Sequence, residues 1–79
     1  MNTLAASLAD LSPGQSGRIR QVAGSADVRL RLLEMGLTRG TRVELVRVAP
    51  LGDPIEVAVR GYRLSVRKSE ASTVTLGTD

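Results

Sequence analysis

With 79 residues the chain has room for one domain around a small core, and with no Phe, no Trp and one Tyr that core must be aliphatic. The absence of Cys and His removes disulfide stapling, thiolate metal sites and any Ser-His or Cys-His nucleophile pair. A net charge of +3, from ten Arg and one Lys against eight acidic residues, suits nucleic acid, an anionic membrane surface or an acidic protein partner.

In chain order, residues 1–7 show no turn chemistry and no hydrophobic period, and are expected to be a loosely held tail of a single domain. They lack the basic start of a signal peptide, and no apolar run is long enough to span a bilayer, so a cytoplasmic location is expected. The fold begins near Leu8, and Ser12-Pro13-Gly14 reads as a turn. Gly17 to Val22 follows as a short strand with Ile19 inward.

Val28, Leu32 and Met35 recur at helical spacing, which predicts a short amphipathic helix from about Val28 to Met35 with Asp27 or Ser25 as its N-cap. Gly36 falls at the position where a left-handed residue ends a helix, and Leu37 where the accompanying apolar contact is usual. Gly40 is a second turn residue. A helix this short is marginal alone and must dock on the rest of the chain.

Thr41 to Ala49 is strand-like with a phase slip, since Val43 and Leu45 share one face and Val46 and Val48 the other; a bulge or bend is expected there. Pro50-Leu51-Gly52-Asp53-Pro54 is a hairpin loop, because two prolines lack backbone donors and Gly52-Asp53 offers turn torsions. Ile55 to Arg60 alternates, Gly61 breaks the pattern, and Tyr62 to Arg67 alternates again. Lys68 to Ala71 has the length of one helical turn, and Ser72 to Leu76 is a closing β-branched strand. Five strands and one short helix predict an all-β fold, a small barrel, with a core of Ile19, Leu32, Val43, Leu45, Ile55, Val57, Val59, Leu64, Val66 and Val74.

Three stretches, Leu32-Leu33-Glu34-Met35-Gly36-Leu37 with Gly40, Ala49 to Ile55, and Arg60-Gly61-Tyr62 with Leu64 to Ala71, make the chain similar to the FeoA family of ferrous-iron transport accessory proteins. The resemblance is collinear from about Leu8 to Leu76. It implies an SH3-like β-barrel in the cytoplasm that works beside FeoB, a membrane protein with a GTPase domain that moves ferrous iron. The barrel also resembles the C-terminal domain of iron-dependent repressors, although no DNA-binding helices precede it here.

The residues themselves carry no catalytic pairing and no glycine-rich phosphate loop ending in Lys-Ser or Lys-Thr, so neither an enzyme nor a cofactor is expected. Ferrous iron favours imidazole with carboxylate, and without His no metal site is expected. The leading reading is a binding module. The alternatives are a nucleic-acid-binding basic barrel, opposed by the scarcity of aromatics for stacking, and a stand-alone relative of the repressor domain.

The expected working surface joins the exposed edge of the helix to the proline-flanked loop. Its contact residues are Met35, Leu37, Pro50, Leu51, Gly52, Asp53, Pro54 and Arg63, with Gly36, Gly40 and Gly61 as turn and cap devices. A hairpin needs only two polar residues, so a five-residue loop that carries Leu51 is more than the turn requires.

Overall fold

A computed structural model describes residues 7–77. A 3-10 turn at Leu8–Asp10 precedes β1 (Ser16–Val22), α1 (Ala26–Glu34), β2 (Arg42–Val48), β3 (Ile55–Val59), β4 (Tyr62–Val66), the single-turn α2 (Lys68–Ala71) and β5 (Val74–Gly77). The strands form one antiparallel sheet in the order β4-β3-β2-β1-β5, so the chain is mostly β with one short helix. Among the described residues no helix is long and apolar enough to cross a membrane.

Residues 1–6 of the expected tail lie outside the described residues. Ser7 is placed: it bridges to Thr75, and its backbone N–H donates to Asp10 Oδ2 at 3.0 Å, which fixes the turn that buries Leu8.

β1 divides its length between two partners, pairing with β2 through Ser16–Arg18 and with β5 through Arg18–Val22. Register shifts fall between Ile19 and Gln21 on β1 and between Leu45 and Arg47 on β2. The second lies at the phase slip read from the sequence. A bulge bends its strand and raises the local twist, which lets the sheet curl around its own apolar face. That face holds Ile19, Val43, Leu45, Ile55, Val57, Val59, Val66 and Val74, all buried, with Leu32 of α1 packed into the same cluster. Leu64, also expected in the core, is only half-buried because β4 is the outermost strand on its side.

α1 begins two residues before the expected Val28. Ser25 is its N-cap and its hydroxyl accepts from the Val28 N–H at 3.3 Å, which decides between the two candidate caps. The helix ends in a Schellman motif, with Leu37 N–H donating to the Leu32 carbonyl at 3.1 Å and Gly36 N–H to that of Leu33 at 3.0 Å. Gly36 has φ +99°, a torsion available at little cost to glycine alone. β3 and β4 are joined by Arg60-Gly61 with φ +52° and +89°, the two positive torsions of a type I′ turn.

Candidate functional site

The Pro50 to Pro54 loop is held at both ends. Gly52 N–H donates to the Ala49 carbonyl at 2.8 Å and Ala49 N–H to that of Pro54 at 3.0 Å, closing the loop on itself. Asp53 Oδ1 accepts from the Lys68 N–H at 3.0 Å, so Asp53 caps the first turn of α2 and ties the loop to it. At the apex Leu51 is 96% exposed, while Pro50 beside it is exposed as well. An isolated exposed leucine is ordinary; what distinguishes this one is the anchored loop, since an ordered loop has little entropy left to lose.

A second exposed apolar region lies where α1 meets the β3–β4 hairpin. Met35, the C-cap of α1, is half-buried against the core, and its carbonyl accepts from the Tyr62 hydroxyl at 2.6 Å. Arg60 Nη2 donates to Thr38 Oγ1 at 3.1 Å and Thr41 Oγ1 at 3.0 Å, so the tip of the hairpin is fastened to the turn after α1. Thr41 is the buried polar residue of the described core, and the Thr38 and Thr41 hydroxyls lie 2.9 Å apart. Gly40, with φ +87°, completes that turn through its N–H bond to the Ile19 carbonyl at 2.7 Å. Tyr62 is exposed here, and Leu30 and Leu33 are exposed elsewhere around α1.

The structure corrects two sequence expectations. Leu37 is fully buried, because the Schellman motif turns its side chain into the core, and it cannot offer that side chain to a partner. The helix edge and the proline loop do not adjoin either. Met35 lies beside Tyr62 at one end of β4 and the loop beside Val66 at the other, four residues or about 13 Å away at ordinary strand rise. Arg63 stands between them, exposed, with its Nη1 3.6 Å from Glu56 Oε2.

The sequence reading missed Leu30 and Leu33. Leu33 stands about 100° and Leu30 about 160° around the helix from buried Leu32 at 100° per residue, so both lie off the stripe through Val28, Leu32 and Met35. It also missed the capping bond of Tyr62, for which an aromatic after a two-residue turn is no signal. Among the described residues no three carboxylates converge where a metal ion could be held.

Comparison with known proteins matches residues 6–76 to the FeoA domain. A Porphyromonas gingivalis protein, the Fe(2+) transport protein A/Fe(2+) transporter FeoB fusion protein, is 34% identical over 67 residues; the match takes in 85% of this chain but only 8% of that protein. The FeoA solution structure from Chlorobium tepidum is 40% identical with TM-score 0.84, over 91% of this chain and 69% of that one. Stenotrophomonas maltophilia FeoA, described as a prokaryotic SH3 domain protein and crystallised with zinc, is 31% identical with TM-score 0.78, over 92% of this chain and 91% of that one. A manganese-dependent transcriptional repressor shares the fold at TM-score 0.86 with 13% identity, a likeness of fold alone. The chain therefore belongs to the FeoA family of SH3-like domains linked to ferrous iron transport.

Proposed function

We infer that this chain is a cytoplasmic, non-enzymatic accessory module of ferrous iron uptake that docks on a FeoB-type membrane GTPase. The observation that carries this reading is Leu51, almost wholly in solvent at the apex of a loop that two backbone hydrogen bonds close on itself and a third ties to α2. Burying a leucine side chain contributes of order 1.5–3 kcal/mol, and an ordered loop retains more of that on binding than a mobile one. Fusion of an FeoA and an FeoB in the Porphyromonas gingivalis relative supports the choice of partner, since covalent linkage holds two domains at high effective concentration. The arginines on the outer strand surface steer and orient the encounter.

The test is capture of the solubilised FeoB-type transporter by the tagged chain. Leu51→Asp is expected to keep the melting temperature and lower capture at least about tenfold, the equivalent of about 1.4 kcal/mol. Capture at wild-type strength by Leu51→Asp removes the loop from the surface, and failure of the wild-type chain to bind removes the partner.

A further inference from the structure

Among the described residues no strand pairs with the outer edge of β4, and the phase of the ladder says which residues line that edge. Leu45 directs its backbone toward β1, where it accepts from Gly14 N–H at 2.8 Å and donates to the Gln15 carbonyl at 2.9 Å. Successive residues of a strand aim their backbone groups at opposite neighbours. Glu44 therefore faces β3 and meets Ala58, which leaves Val57 and Val59 facing β4. Their partners Leu64 and Tyr62 face back, and the residues between and beyond them, Arg63 and Ser65, aim their N–H and C=O groups away from the sheet. A two-residue turn closing on the Val59–Tyr62 pair requires the same phase. The open row stops at Arg67, whose N–H donates to Glu70 Oε1 at 3.2 Å and whose carbonyl accepts from Glu70 and Ala71 of α2.

This edge runs between the two exposed regions that the fold separates. At its start Tyr62 is bound to Met35; at its end Val66 leads to Lys68, whose N–H meets Asp53 of the proline loop. Arg63, Ser65 and Arg67 are exposed along it, with Arg60 exposed at the turn. Ser65 also lines a shallow cleft of about 150 Å³ with Arg47, Ala49, Pro54, Ile55 and Glu56, space for a side chain arriving beside the small serine. A second copy fits this edge badly. Antiparallel pairing of β4 with itself through Arg63–Ser65 would set each Arg63 diagonal to Arg63 and Arg67 of the copy, with like charges within side-chain reach.

We propose that β4 is the acceptor edge for an extended acidic segment of the FeoB-type partner, which adds as a sixth strand between the Tyr62 and Leu51 ends. The proposal rests on the partner assigned above. Main-chain bonds at Arg63 and Ser65 hold the segment, and its carboxylates lie against Arg63 and Arg67, the usual division between affinity and selectivity in strand addition.

The experiment measures affinity of the full chain for the solubilised transporter. Ser65→Pro deletes one outward N–H and no β3–β4 ladder bond, a substitution that edge strands tolerate. It is expected to weaken binding about tenfold, while Ser65→Thr stays within about twofold of wild type. Arg63→Glu is expected to weaken binding more at about 50 mM salt than at about 300 mM. In the wild-type complex, amide exchange should slow at Arg63 and Ser65. Unchanged affinity of folded Ser65→Pro, or unslowed exchange at both amides in the complex, overturns the proposal; should Ser65→Pro not fold, the exchange result decides. Wild-type binding that survives Leu51→Asp but not Ser65→Pro keeps the edge and discards the loop. A wild-type chain that does not bind the transporter overturns the partner reading and this proposal with it.

Discussion

The Tyr62 hydroxyl donates to the Met35 carbonyl at 2.6 Å, so a side chain from the β3–β4 hairpin satisfies one of the acceptors left over at the end of α1. The single aromatic residue of the chain thus works as a cap, and the short helix depends on a strand 27 residues away. Tyr62→Phe keeps the ring and removes the bond. It is expected to cost about 0.5–1.5 kcal/mol. At about 4–8 °C per kcal/mol for a domain of this size, a lowered melting temperature by circular dichroism reads the effect.

Gly36 and Tyr62 are coupled through the same place. A Cβ on Gly36 would fall on the Tyr62 hydroxyl oxygen, and φ +99° disfavours any L side chain there. Gly36→Ala is expected to destabilise by more than about 1 kcal/mol, and Gly36→Val by more still. In a Tyr62→Phe background the clash with oxygen is gone while the torsional strain stays. The double-mutant cycle should therefore show a coupling of at least about 0.5 kcal/mol. Strict additivity of the two single changes would mean that the close approach has no energetic weight.

Leu37 and Leu51 provide a direct contrast between a buried and an exposed leucine in one fold. Leu37→Ala opens a cavity in the core and is expected to cost about 2–5 kcal/mol in denaturant unfolding. Leu51→Ala should stay within about 0.5 kcal/mol of wild type. Equal costs would contradict their placement.

That pair also marks how far the sequence was legible. Alternation and turn residues located all five strands, the helix and the β2 bulge, because each rests on a local rule: period two, period 3.6, a glycine past the last helical turn. Leu8, Leu11, Ala71 and Leu76 were not placed in the core. They lie in or just after a 3-10 turn, in a single helical turn and in a four-residue strand, segments too short to show a period, and only tertiary contact buries them. The same limit applies to the site. Leu51 stood out because prolines flank it, whereas the distance between that loop and Met35 depends on strand pairing. Arg60 at φ +52° had no signal, since Asn or Gly is the usual residue there and the compensation, its bonds to Thr38 and Thr41, comes from 19 to 22 residues away.

The arginines distinguish the protein-docking reading from the nucleic-acid alternative. A nucleic-acid interface needs a cluster of cations free to meet phosphates, preferably beside aromatic platforms. Here several are engaged by the fold itself: Arg18 Nη1 donates to the Gly40 carbonyl at 3.1 Å, Arg31 pairs with Glu70 and Arg60 holds the Thr38–Thr41 turn. Tyr62, the one ring that could stack on a base, has its hydroxyl fixed to Met35. A random single-stranded oligonucleotide should accordingly bind weakly, with log K against log salt no steeper than about −2 over about 50–200 mM, two or three phosphate contacts at about 0.7 each. Arg20→Ala and Arg67→Ala should each leave that slope almost unchanged, and Leu51→Asp should have no effect on it. Fluorescence anisotropy across the salt series checks all three. A slope near −5 that falls by about 0.7 with each arginine removed would transfer the basic face from partner steering to nucleic-acid binding.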